Sequence, residues 1–281
     1  MSDGVRIDAT GLSDVGKKRK RNEDSFLVAD LRKAMMVKTT SLSYEDQTPL
    51  LSEVRGELYV VADGMGGHVA GDRASRLAVR TLNRYVLNTM SWFFGLGSSR
   101  GDELEDELVK AVERCQVVME DQLEQHDDRE GMGTTLTMAY VSWPWMYVVH
   151  VGDTRCYVRR GDQLHQITHD DTVVQALVDK GVMDEKAAEK SPMANVLSQA
   201  IIAKENPEMS PTVFRAKLSA GDMVLLCSDG LTKHVPDDRI GELLGSSESA
   251  ESACELLIEA ANGDGGTDNI TVVVARYTGD E

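Results

Sequence analysis

The sequence predicts an α+β fold in which mainly antiparallel sheets are packed by pairs of amphipathic helices. From Gly133 onward, short strand-like runs follow one another with only turn residues between them, which excludes a simple doubly wound parallel sheet. Two earlier stretches instead carry apolar residues at helical spacing. Hydrophobic residues make up 41% of the 281 and there are only six prolines, enough apolar material for a packed core and unlike a disordered chain.

Val5–Ala9 and Ser25–Ala29 read as strands on either side of a basic run, Lys17 to Arg21. The polar, aperiodic block 30–56 reads as a long loop or insertion. Glu57–Asp63 is a short apolar run that stops at a glycine cluster, as a buried strand ending in a tight turn does. Ala70, Ala74, Leu77, Ala78, Thr81 and Tyr85 form one helical stripe, and Leu104, Leu108, Ala111, Val112, Cys115, Met119 and Leu123 form another. Trp92, Phe93 and Phe94 between them read as a helix-packing cluster. Thr134–Val141, Met146–Val151, Arg155–Arg159 and Gln163–Thr168 read as a four-stranded antiparallel meander, with Pro144, Gly152 and Gly161-Asp162 at its turns. A weakly helical segment, Asp170–Ser191, follows. Thr212–Leu218 and Met223–Cys227 resume strand character, a helix runs through Cys254, Leu257, Ile258 and Ala261, and Ile270–Tyr277 is a terminal strand.

The 47 Asp and Glu against 30 Lys and Arg leave a net charge of −17. Nucleic-acid binders neutralise phosphates with clustered cations, and an anionic membrane repels acidic surfaces, so both partner classes are disfavoured. With no long apolar run and no basic-then-apolar N-terminus, the expectation is a soluble cytoplasmic protein. The four cysteines, Cys115, Cys156, Cys227 and Cys254, form no Cys-x-x-Cys pair and read as free thiols.

The glycine cluster Gly64-Met65-Gly66-Gly67-His68-Val69 fits neither phosphate-binding loop: valine stands where the dinucleotide fingerprint needs its third glycine or alanine, and no lysine follows as in a P-loop. A different pattern recurs. An acid sits beside glycine at the end of an apolar run at Asp63-Gly64, Gly152-Asp153 and Asp229-Gly230, and further acids sit before strands at Glu23-Asp24 and Asp268. Asp-Gly alone makes turns. Five such positions at the rims of core strands place mutually repelling carboxylates together, which a cation would relieve. Oxygen-only ligands select Mg²⁺ or Mn²⁺ over zinc. Arg19, just ahead of Glu23, could bind phosphate oxygens with its planar fork.

Six motifs in order complete the pattern: Arg19-x-x-Asn22-Glu23-Asp24-Ser25, Asp63-Gly64-Met65-Gly66-Gly67-His68, Gly133-Thr134-Thr135, Gly152-Asp153-Thr154-Arg155, Ser228-Asp229-Gly230-Leu231 and Gly266-Thr267-Asp268-Asn269-Ile270-Thr271. Together they resemble the metal-dependent protein phosphatase family, protein phosphatase 2C, in its bacterial form. The resemblance implies one domain over residues 5–277 with a four-layer α-β-β-α sandwich, two sheets flanked by pairs of antiparallel helices. It implies a Mn²⁺ or Mg²⁺ centre of two ions, with a third, weaker one. Asp63 would bridge the two ions, the Gly64 carbonyl would add a ligand, Asp229 and Asp268 would hold one ion, and Glu23 would lie by the other. Asp153 with Asp229 matches the third-ion positions, Arg19 the phosphate-binding arginine, and Asp24 an acid that orients water. The implied activity is hydrolysis of phosphoserine and phosphothreonine in proteins by a bridging hydroxide that the two ions activate, in a monomer meeting substrates of Ser/Thr kinases.

Some positions depart from the family pattern. Met65 replaces a histidine common in animal members, so the proton for the leaving alkoxide would come from a metal-bound water or another group, for which His68 and His169 are candidates. Asp171 stands where bacterial relatives carry histidine, and Gln199 where arginine is common. Segment 170–191 corresponds to the flap beside the site, and 30–56 to an extension that many members lack. The alternatives are a catalytically weak regulatory or phosphopartner-binding module of the same fold, and a two-metal nuclease or phosphodiesterase, which the −17 charge disfavours.

Overall fold

In the computed structural model, the described residues are 5–43, 49–66, 70–90, 101–125, 131–189, 191–204 and 209–279. Two five-stranded antiparallel sheets lie face to face. The first has the order β1 (Val5–Asp14), β13 (Ile270–Gly279), β12 (Met223–Cys227), β8 (Arg155–Arg160), β9 (Gln163–Gln166). The second runs β11 (Thr212–Lys217), β7 (Trp145–Val151), β6 (Leu136–Ser142), β3 (Pro49–Ala62), β2 (Ser25–Met36). Three two-residue strands, β4 (Gly64–Met65), β5 (Gly133–Thr134) and β10 (Ile201–Ile202), form a small third ladder at the rim.

Strand alternation divides the core into three layers. Along β3, Tyr59 and Val61 face the other sheet, whereas Leu58, Val60 and Ala62 face the helices. Along β12, Val224 and Leu226 face inward, while Met223, Leu225 and Cys227 meet helices on the opposite side. Both faces of these strands are buried, which is why they read as continuous apolar runs. Helices α1 (Ala70–Asn88) and α2 (Gly101–Gln125) cover the second sheet; Ala74, Ala78, Leu82 and Val86 give α1 its buried stripe at intervals of four. Helices α6 (Asp237–Ser246) and α7 (Ala250–Gly263) cover the first sheet. A fully buried leucine such as Leu82 contributes about 1.5–3 kcal/mol of transfer free energy. The result is a helix–sheet–sheet–helix sandwich. All four cysteines are free and buried.

Three expectations need correction. The 30–56 block is not a loop: Leu31 pairs with Gly56 and Met36 with Pro49, so most of it extends the β2–β3 hairpin. Residues 32–36 are exposed, and a strand with little buried on either face shows no alternation to reveal it. The meander is really two hairpins: β6–β7 belongs to the second sheet and β8–β9 to the first, so the chain changes sheets at Gly152-Asp153-Thr154. Helix α6 was not anticipated, because Pro236 caps it without a side-chain hydrogen bond and its buried face is only Ile240, Leu243 and Leu244. The Trp92, Phe93 and Phe94 cluster lies outside the described residues.

Candidate metal centre

The acids arrive from separate parts of the chain, and each is held through its backbone by another motif. Asp63 follows β3; its carbonyl accepts from Thr134 Oγ1 at 2.8 Å and Thr135 N at 2.9 Å, and its N–H donates to Thr135 Oγ1 at 3.1 Å. The Gly133-Thr134-Thr135 motif is therefore the clamp on Asp63. Glu23 is held from two sides: its N–H donates to Asn269 Oδ1 at 2.9 Å, and its carbonyl accepts from Ser75 Oγ of α1 at 2.6 Å. Asn269 also donates through Nδ2 to the carbonyls of Val15 and Arg21, both at 2.9 Å, so one buried amide fastens the whole basic loop to the start of β13. Asp24 Oδ2 accepts from Ser228 Oγ at 2.8 Å, next to Asp229 at the start of the short helix α5 (Asp229–Thr232).

Two glycines are demanded by close approach. A Cβ on Gly64 would lie 2.1 Å from the Gly71 carbonyl oxygen and 2.6 Å from that of Glu23, and one on Gly230 would lie 1.9 Å from the Asn269 carbonyl oxygen. Without side chains at these two points the main chains carrying Asp63, Glu23, Asp229 and Asp268 can draw together.

They meet in an open cleft of about 860 Å³. Arg19, Glu23, Asp63, Gly64, Asp153, Asp229 and Asp268 all line it, and Asp24 lies beneath against Ser228. Asn195 and Leu197 to Ala200, with Ile202 and Lys204, form another wall. Burial, followed by the charges of Asp24, Asp229, Asp153 and Asp268, pushes the Asp63 carboxyl well above the usual carboxylate range. Burial likewise raises Asp24 and Asp153 to about 7, with Asp229 adding repulsion in each case. Asp268 is the exception: burial would raise it, but Lys233 and then Arg19 outweigh that and hold it low. Arg19 forks onto Asp268, with Nε at 2.8 Å from Oδ1 and Nη2 at 2.9 Å from Oδ2.

Among the described residues no three Asp, Glu, His or Cys side chains form a group set to coordinate an ion, and cations of the chain, Arg19 and Lys233, pair with Asp268 and Asp229. The donor set nevertheless suits a hard divalent ion: it is all oxygen, its members repel one another, and Asp24 Oδ1 and Asp229 Oδ1 are buried with no hydrogen-bond partner. Among the described residues, no histidine enters the cleft lining. His169 is exposed and pairs with Asp179 at 3.4 Å, and His68 lies outside the described residues.

Comparison with known proteins decides the family. The model of the protein phosphatase 2C family matches residues 39–266. The chain belongs to the protein phosphatase 2C family. It is 41% identical over 218 residues to the serine/threonine protein phosphatase PstP of Mycobacterium tuberculosis, covering 78% of this chain and 40% of that protein. Protein phosphatase PhpP of Streptococcus pneumoniae is 30% identical over 271 residues, 94% of each chain. The crystal structure of the PstP catalytic domain in complex with two manganese ions superposes with a TM-score of 0.74 at 34% identity, covering 98% of this chain and 99% of that one. The chain thus spans less than half the length of the mycobacterial relative.

The span matched by the protein phosphatase 2C model stops short of Arg19, Glu23 and Asp24 at one end and Asp268 at the other. The fold joins those ends through the β1–β13 ladder and the Asn269 clamp. The two positions that depart from the bacterial pattern face each other: Gln199 Nε2 donates to Asp171 Oδ1 at 3.2 Å. Asp171 Oδ2 accepts from Gly152 N at 3.0 Å, and Asp171 N donates to Gly152 O at 2.7 Å, so this pair ties the start of segment 170–191 to the turn that carries Asp153. Asn269, Ser75, the two threonines and Lys233 were missed as site-building residues. Motif order could have exposed the first and third; Ser75 and Lys233 carry no signal beyond their place one helical turn from a partner.

Proposed function

We propose that this chain is a divalent-metal-dependent phosphatase, one domain over residues 5–277, that hydrolyses phosphoserine and phosphothreonine in proteins. The observation supporting it is the convergence of Glu23, Asp63, Asp153, Asp229 and Asp268 on one cleft beside Arg19. Asp63, the Gly64 carbonyl, Asp229, Asp268 and Glu23 would hold two Mn²⁺ or Mg²⁺ ions. When bound, such a pair supplies the charge that turns a shared water into a nucleophile near neutral pH and neutralises the phosphoryl oxygens.

The chain's own residues do the rest. Arg19 is 49% exposed in its side chain and already shows a two-toothed grip on a carboxylate, the geometry that takes two phosphate oxygens. Asp24, oriented by Ser228, keeps Oδ1 free of any protein donor and can accept a hydrogen bond from water at the floor of the cleft. A third ion would fall between Asp153 and Asp229, where Lys233 also reaches. Substrates would be phosphoproteins met by a cytoplasmic monomer, since the net charge of −17 suits neither nucleic acid nor an anionic membrane. Among the described residues, no helix is long and apolar enough to cross a membrane.

Turnover of a phosphothreonine peptide should vanish in EDTA and return with Mn²⁺, and Asp63→Asn should lose at least about a thousandfold in kcat with its circular dichroism unchanged. Full activity in the chelated protein would overturn the proposal. Peptide binding without turnover in Mn²⁺ would establish the phosphopartner-binding alternative.

A further inference from the structure

The ammonium of Lys233 is wedged among the candidate ligands. It follows Asp229 by four residues, just beyond the end of α5, so the helical path brings its side chain back over that carboxylate. Its Nζ pairs with Asp229 Oδ2 and, at 3.1 Å, with Asp268 Oδ2. These are the two carboxylates assigned to one of the ions. The side chain is only 26% exposed, and its charge also reaches Asp153. Burial alone would make the ammonium easier to lose, but Asp229 and Asp268 outweigh that, so the group stays charged.

We infer that Lys233 is an internal counter-ion that competes with the divalent metal for Asp229 and Asp268. The inference rests on the two-ion reading of the cleft. An ammonium and a divalent ion on the same pair of carboxylates repel each other, so loading the metal requires Lys233 to leave. Lysine suits such a role better than arginine: it is a point charge on a flexible four-carbon stem, with no planar fork to lock it in place. Released, it stays within the cleft it already lines, beside Arg19, where it adds a second cation for the phosphate. In the metal-free protein Lys233 thereby offsets the charge of these two carboxylates, at the expense of metal affinity. Lys233 is thus a positioning residue for the centre.

The test compares the wild type with Lys233→Met and Lys233→Ala in two measurements on the whole chain. Calorimetric titration with Mn²⁺ alone should show one ion bound about tenfold more tightly in both variants. Thermal melts in EDTA should show both variants less stable than the wild type, with the deficit removed or reversed in saturating Mn²⁺. A lysine that merely held structure together would lower the melt in both conditions and leave Mn²⁺ affinity unchanged or weaker, and either result would overturn the inference. No Mn²⁺ binding by any of the three proteins would remove the two-ion reading itself, whereas equal binding by all three would remove only the role of Lys233.

Discussion

The floor and the wall of the cleft are built in different ways. On the floor, Asp63, Glu23 and Asp24 are each fixed by hydrogen bonds to residues far away in sequence, and those bonds are short and buried or partly buried: Thr134, Thr135, Asn269, Ser75 and Ser228. The wall, from Asp170 to Ile202, carries two short helices, α3 (Val173–Asp179) and α4 (Glu185–Glu189), and large exposed apolar side chains at Val182, Met193 and Val196. Its base is tied down by Asp171 to Gly152, by Gln199 to Asp171, by the backbone bonds Ser198 N to Asp171 O and Val173 N to Val196 O, and by the fork of Arg155 on Asp170, but beyond that base, among the described residues, the short helices carry few ties to the floor. Charge explains the contrast. Clustered carboxylates repel one another and would drift apart unless their backbones were over-determined, whereas a wall that, on the proposed function, would receive different phosphoproteins would gain from being easy to reshape.

The largest expected effect comes from breaking the floor at its main fastening. Asn269→Ala removes three hydrogen bonds and leaves the Glu23 N–H and the Val15 and Arg21 carbonyls without that partner. A loss of about 3 kcal/mol in chemical denaturation and roughly a hundredfold in kcat is expected, because the loop carrying Arg19, Glu23 and Asp24 shifts together. A variant as stable and as active as its parent would show that the clamp is redundant.

Loosening the wall should act on binding more than on chemistry. Asp171→Ala removes the side-chain ties to Gly152 N and Gln199 and leaves only the backbone bond from residue 171 to the Gly152 carbonyl, and KM for a phosphopeptide should rise by roughly tenfold while kcat stays within about threefold. Gln199→Ala removes only one of these ties and should move KM less. Equal falls in kcat for the two would place the wall in the chemistry and erase its contrast with the floor.

The smallest effect lies away from both. Glu57 is buried directly across the ladder from Asp30, and burial first, Asp30 second, raises its carboxyl to about 8. A carboxyl with a folded value above its unfolded value of 4.5 stabilises the fold below that lower value and loses the contribution as pH rises through about 8. Glu57→Gln should therefore flatten the fall in stability between pH 5 and 8, by on the order of 1–2 kcal/mol in urea melts, without changing Mn²⁺ affinity. An unchanged pH slope would mean that Asp30 and Glu57 do not share the burden of that strand pair.

Much of this was legible in residue order alone. Runs such as Leu58 to Ala62 and Met223 to Cys227 announced buried strands because both of their faces meet apolar layers, and the α1 and α2 stripes announced helices because one face of each does. The acid-beside-glycine pattern marked the rims, since strand ends are where a rigid backbone meets a turn. What local pattern could not carry was partnership. Gly152-Asp153-Thr154 has the residues of a tight turn whether the next strand returns to the same sheet or crosses to the other; only the packing of two sheets decides, and that crossing is what presents Asp153 to the cleft. The outer part of β2 was invisible because an exposed strand needs no alternation. Asn269 and Lys233 acquire their roles from groups over 200 residues away in one case and on another motif in the other. Residue types thus determined which chemistry was available, through charge and through oxygen donors at strand ends. Only the tertiary structure decided which of those groups stand together, because hydrogen bonds and Coulomb forces depend on distance in space and not along the chain.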